Sequence, residues 1–233
     1  LIPNPGNRGK GYSVRAGFLA ARGRRVLFSD ADLSTPIEEL PRLAELLDAG
    51  ADVAIASRAL PDSVIDVHQV WWPELSGRAF NLLVRLFSGL PYPDTQCGFK
   101  AFRADVAKGI VVDPVEKRFA FDIELLLRTV LARPASIERV PIAWIDSEAA
   151  STTKELQPYL AMLQSIVRIA RRYLPERALA ADFAELVESL DEAAWNRVSS
   201  QVPREIAERE PLEFEEFDAV TAERLRDIAL SGD

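Results

Sequence analysis

Two carboxylates stand one residue apart, Asp30 and Asp32, directly after the apolar run Arg25–Ser29. A short apolar run bounded by charge predicts a buried strand. Alternate residues at the end of an extended segment point the same way, so both carboxylates are able to face one cation. Their hard oxygens suit Mg2+ or Mn2+, ions that also hold substrate phosphates. An isolated Asp-x-Asp also occurs as a solvated turn or a cap. The strand before this one and the helix start after it favour a binding site at the carboxyl edge of an α/β sheet.

Asn7-Arg8-Gly9-Lys10-Gly11 precedes a helix. Its glycines allow close backbone approach, and Arg8, Gly9 and Lys10 at a helix N-terminus suit an anion. A plain flexible turn is the alternative. Ser57-Arg58 ends a second apolar run, which puts Arg58 at the same kind of edge. Arginine binds phosphate through paired hydrogen bonds, although a surface ion pair is the commoner use. Asp94 opens the polar segment DTQCGFK, where it would orient a hydroxyl, take a proton or start a turn. Asp122 and Glu124 stand at the start of an apolar helix, where the helix dipole favours acids. Cys97 reads as a packed small residue, and His68 carries no assignment.

Elements that would position these groups follow from periodicity and turn signals. Helices are expected over residues 11–22, from Pro36 to near Gly50, and over 78–89, 119–132 and 158–174. Thr35, Pro36 and Glu38 form a capping-box pattern at the second of these. Strands are expected over 25–29, 52–57, 96–102 and 138–144. The strand–helix–strand order implies a parallel α/β sheet. In the 78–89 helix, Arg78, Asn81, Arg85 and Ser88 make one narrow polar stripe on an otherwise apolar surface. In the 158–174 helix, Arg168, Arg171 and Arg172 lie off the apolar stripe. That pattern suits a docked surface helix or one lying on an anionic membrane.

One cysteine and one histidine in 233 residues exclude a disulfide framework and a Cys/His zinc site. No apolar run approaches the ~18 residues of a membrane span. The net charge of −8 is unevenly placed: residues 176–233 carry 16 acidic and 6 basic side chains, leaving the rest near neutral. The domain expectation is therefore a catalytic unit at 1–175 and an acidic helical extension at 176–233. No nucleic-acid partner is expected.

The segments NRGKGYSVRAG, FSDADLSTP, ASR, DTQCGFKAFR, RFAFDIELL and the IERVPIAW run before Lys154 together resemble family 2 glycosyltransferases. The nearest branch is the dolichyl-phosphate glucosyltransferases. The resemblance covers roughly residues 3–172 and implies a GT-A fold, a mostly parallel sheet flanked by helices. It implies transfer of a hexose, glucose from UDP-glucose, to a polyprenyl phosphate, with inversion. Asp30 and Asp32 would hold Mg2+ or Mn2+ against the nucleotide diphosphate. Arg8, Gly9 and Lys10 would lie beside the donor, and Asp94 next to the transfer site. Arg58, Lys154 and Arg78 would meet the lipid phosphate. A membrane-embedded acceptor implies a peripheral protein on the cytoplasmic face of a membrane. Another donor such as GDP-mannose, a polysaccharide hydroxyl as acceptor, or a non-catalytic module are the alternatives. The family's opening strand, with its Pro-x-x-Asn-Glu type motif, is expected to precede Leu1. Ser151-Thr152-Thr153-Lys154 replaces the family's Gly-Ser-Lys turn.

Overall fold

The computed structural model describes residues 1–66, 84–85, 88–112, 114, 116–132, 136–145, 157–173 and 193. These fall into two units, one drawn from Leu1–His68 and Asp94–Thr152 and the other from Gln69–Pro93 and Thr153–Asp233. Arg78, Lys154, His68 and the expected helices of residues 176–233 lie outside the described residues, as does most of the 78–89 helix.

The first unit is mixed α/β. In chain order it runs α1 (Lys10–Ala20), β1 (Arg25–Ser29), a 3-10 turn (Ile37–Glu39), α2 (Leu40–Asp48), β2 (Val53–Ser57) and β3 (Val64–Asp66). It continues through β4 (Phe99–Arg103), α3 (Ala104–Ile110), α4 (Phe121–Ala132), β5 (Ile137–Pro141) and β6 (Ala143–Ile145). The main sheet has the order β1-β4-β2-β5, and β3 pairs with β6 in a second, two-stranded sheet. Strands β1, β2 and β5 run the same way, as the strand–helix–strand order implies. The β2–β5 pair is parallel, whereas β4 runs antiparallel to both β1 and β2 and separates them.

Alternation along the strands covers both sheet faces. Ala54, Ala56, Phe99, Ala101 and Val140 pack with Leu43 and Leu47 of α2. On the other face Phe102 meets Phe18 of α1 edge-on, and Phe28 meets Phe121 of α4 in the same way. These helices flank a central sheet, as the GT-A resemblance implies.

Two expectations change in the structure. The capping box does not form: neither the 3-10 turn nor α2 has a side-chain cap at its start, and α2 begins only at Leu40. Thr35, the first residue of the expected box, is instead buried with its hydroxyl against the Cys97 thiol. The Glu39 carboxylate accepts the Ala143 N–H at 3.2 Å and pairs with Arg42 at 3.0 Å. The single strand over 138–144 is two. Pro141 cannot donate to a ladder, and the chain crosses at Ile142 from the main sheet to the small one. Two short elements, β3 and α3, were not among the expected ones.

In the second unit, α5 (Gln157–Tyr173) buries Leu163, Ile166, Val167, Ile169 and Ala170 while Arg168, Arg171 and Arg172 are exposed. Arg85 and Ser88, two members of the polar stripe, are as buried as Val84. No helix among the described residues is long and apolar enough to cross a membrane.

Candidate active site at the sheet edge

The antiparallel strand assembles the site. Because β4 enters the sheet where β1 and β2 leave it, the segment 94–98 meets Asp30 and Arg58 at one edge. Ser29 pairs with Phe99, and one step beyond, the Asp30 N–H donates to the Gly98 carbonyl at 2.8 Å.

Asp30 is half-buried and forms an ion pair with Lys10 at 2.6 Å. The Lys10 ammonium also lies over the rings of Phe28 and Phe121, 5.3 and 5.7 Å from their centroids. Lys10 is held there because the NRGKG segment is locked against the loop before α4. Gly11 and Tyr12 donate to the carbonyls of Arg118 and Lys117 at 3.3 and 3.2 Å. At Gly11 an added Cβ would stand 2.7 Å from the Phe121 Cβ, so only glycine permits this approach. Gly9 has φ 91° and its own Cβ position is blocked by the Lys117 carbonyl. Arg8 stands apart from this group: it is exposed, and its Nε donates to the Pro5 carbonyl at 3.2 Å. Asp32 is exposed too, with one carboxylate oxygen accepting the Ser34 N–H at 3.1 Å in an Asx turn.

Asp94 is 3% exposed and its carboxylate is closely surrounded. Arg58 donates to it from Nε at 2.8 Å, from Nη2 at 2.9 Å and from its backbone N–H at 2.9 Å. The N–H groups of Cys97 and Gln96 add hydrogen bonds at 3.1 and 3.3 Å. Burial alone would push the Asp94 carboxyl up; the charge and hydrogen bonds of Arg58 outweigh it and hold it at about 2. Asp94 in turn raises the Arg58 pKa. The guanidinium stacks over Trp144, 5.9 Å from the ring centroid. A carboxylate so depressed and so fully engaged is a poor proton acceptor at neutral pH. The structure thus gives Asp94 the task of fixing Arg58.

Beneath this layer lies a second ion pair. Lys100 is fully buried in β4, and its ammonium donates to Asp122 at 2.5 Å and to the Cys97 carbonyl at 2.6 Å. Burial pushes the Asp122 carboxyl up, opposed by the Lys100 and Lys10 charges. Glu124, also buried, accepts the Glu116 N–H at 2.7 Å and faces Arg128 at 3.8 Å, so it braces the loop that holds Lys10. Asp122 and Glu124 therefore do more than complement a helix dipole. Burial raises the Cys97 thiol to about 11, in keeping with a packed residue.

Sequence reasoning gave no role to Lys100, Gly98 or Trp144. Lys100 carried a readable signal: a cation inside the apolar run Phe99–Phe102 requires a buried partner, and Asp122 in an apolar helix is the matching acid. Gly98 and Trp144 gave no comparable signal.

Among the described residues no group of three or more His, Cys, Asp or Glu side chains gathers into a metal site. Half-buried Asp30 and exposed Asp32 offer hard oxygen donors, a chemistry that suits Mg2+ or Mn2+.

The family model for glycosyl transferase family 2 matches residues 1–110. A dolichyl-phosphate beta-glucosyltransferase of Drosophila melanogaster is 35% identical over 175 residues, 72% of this chain and 53% of that protein. The Saccharomyces cerevisiae protein of the same name is 31% identical over 182 residues, 72% of this chain and 53% of that protein. Glycosyltransferase AglD of Haloferax volcanii is 35% identical over 140 residues, 58% of this chain and 22% of that protein. The chain spans about half the length of the dolichyl-phosphate beta-glucosyltransferases it matches. The family model that matches residues 1–110 is that of the family its sequence motifs resemble.

Proposed function

We propose that the chain transfers a hexose, glucose from UDP-glucose, to a polyprenyl phosphate of the dolichyl type, with inversion at the anomeric carbon. The observation that carries this reading is the meeting of Lys10, Asp30 and the Asp94-fixed Arg58 at one sheet edge. The names of the relatives support the acceptor class.

An acceptor phosphate is already anionic at neutral pH, so it needs a cation to seat it and no strong base. Arg58 meets that need. Nε and Nη2 are committed to Asp94, and the rest of the guanidinium fork is left to face a phosphate. Holding the phosphate in line with the anomeric carbon is catalysis by positioning. The resemblance also assigns Lys154 and Arg78, which lie outside the described residues, to the lipid phosphate. A hydroxyl acceptor would instead demand a base, and the state of Asp94 argues against one there. On the donor side Lys10 supplies positive charge close to Asp30. Asp30 and Asp32 would hold Mg2+ or Mn2+, which when bound neutralises charge growing on the departing diphosphate.

The test is sugar transfer from labelled UDP-glucose to a polyprenyl phosphate, with Mg2+ or Mn2+ and with EDTA. Metal-dependent label in the lipid phase is the expected result. No product while UDP still binds would refute the donor sugar or acceptor, and no UDP binding would refute the enzyme reading altogether. In this proposal the protein works peripherally on the cytoplasmic face of a membrane, with Arg168, Arg171 and Arg172 of α5 towards anionic lipid. Vesicles containing anionic lipid should then sediment the protein; full recovery in the supernatant at moderate salt would sink that part.

A further inference from the structure

We infer that Gly98 is a positioning residue for Asp30: its missing side chain is the space in which the Asp30 carboxylate sits. Resting on the proposed metal-binding role of Asp30, this names what aims that carboxylate. A Cβ built on Gly98 would fall well inside 3.0 Å of the Asp30 Cγ and of both carboxylate oxygens, and these are its three nearest atoms. Gly98 does not have a positive φ, so its backbone conformation suits any residue. The demand for glycine comes from Asp30 and not from the turn.

The arrangement is fixed from three sides. The Asp30 N–H donates to the Gly98 carbonyl at 2.8 Å, which sets the distance between the two chains. Lys100, clamped by Asp122, grips the Cys97 carbonyl at 2.6 Å and so holds the residue just before Gly98. Lys10 draws the Asp30 carboxylate from the remaining side at 2.6 Å. A methyl group at residue 98 meets only the mobile end of the Asp30 side chain among its nearest atoms. It therefore re-aims the carboxylate while the backbone around it stays in place.

The test compares Gly98→Ala, Asp30→Ala and the double variant by two readouts: the affinity for Mn2+ in the presence of UDP, followed by electron paramagnetic resonance of free Mn2+, and the thermal midpoint. Each single variant is expected to weaken Mn2+ binding by about tenfold or more, the usual size of a disturbance to a ligand's support. The Gly98→Ala midpoint should stay close to that of the unsubstituted protein. If Gly98→Ala is instead destabilised, adding Asp30→Ala should restore the midpoint, because truncating Asp30 removes the clash. Wild-type Mn2+ affinity in Gly98→Ala while Asp30→Ala has lost it would overturn the inference alone. A destabilised Gly98→Ala that Asp30→Ala fails to rescue would do the same. Wild-type affinity in Asp30→Ala would overturn the metal assignment, and the inference with it.

Discussion

Asp94→Asn removes the buried charge of the Arg58 ion pair, and its cost can be worked out from the structure. The Asp94 carboxyl sits at about 2 in the fold against 3.8 for the free group. That difference corresponds to roughly 2.5 kcal/mol of stability at neutral pH. The pKa is depressed, so the contribution is fully present above the unfolded value and disappears as pH falls through about 2. Near pH 3 roughly half of it remains. The substitution also leaves the Arg58 charge without its partner, a situation that costs about 3–5 kcal/mol when the pair is buried. Arg58 is half-buried, and the lower end of that range applies. Urea unfolding of both proteins between about pH 7 and pH 3 checks this. The stability gap should be about 2–3 kcal/mol and flat down to about pH 5, then narrow towards pH 3. A gap that stays constant through pH 3 would refute the charge-pair reasoning. Kinetics give a second arm, because a freed Arg58 should raise the KM for the lipid phosphate more than that for UDP-glucose. Should a pH–rate limb near neutrality vanish in Asp94→Asn, Asp94 would be a base after all.

Three further outcomes follow from the same geometry. Asp32→Ala should lower transfer by about a hundredfold with a stability loss of about 1 kcal/mol, since Asp32 is exposed and gives up one partly buried turn hydrogen bond; transfer near wild type with metal present would remove Asp32 from the metal site. Lys100→Met leaves Asp122 buried and unpaired, so chemical denaturation should report a loss of about 3–5 kcal/mol. Adding Asp122→Leu should recover much of it, and no recovery would mean that the pair is not the reason. Cys97 should resist a thiol reagent at pH 8 in the folded protein and react on unfolding, since burial raises its thiol to about 11; rapid labelling of the native chain would contradict its placement.

What the sequence made legible was local. Arg25–Ser29, the run before Ser57-Arg58 and the apolar helix carrying Asp122 and Glu124 announce themselves by periodicity, and the structure forms all three as β1, β2 and α4. The capping-box pattern was also local, yet it failed: Thr35 is buried with its hydroxyl against the Cys97 thiol, which comes from far along the chain. Sequence spacing gives no access to such distant competition. The roles of the charged groups were hidden for the same reason. Arg58 and Asp94 are 36 residues apart, and Lys100 and Asp122 are 22 apart. Read singly, Asp94 looks like a base and Asp122 like a helix-dipole acid; read as pairs, each has its charge already spent.

The insertion of β4 explains why these pairs form where they do. A parallel sheet built only from β1, β2 and β5 would bring strand ends to the edge, and with them Asp30 and Arg58, but no loop to fix either group. Running β4 the other way between β1 and β2 delivers residues 94–98 to that edge at the point where both neighbours leave it. The same short segment then supplies Asp94 to Arg58 on one side and the bare α-carbon of Gly98 to Asp30 on the other. Two residues further on, the alternation turns Lys100 to the face opposite Phe99, where Asp122 clamps it. The DTQCGFK segment is thus a single device whose spacing follows from the strand geometry. Inserting or deleting one residue within it would separate the Arg58 clamp from the Asp30 seat.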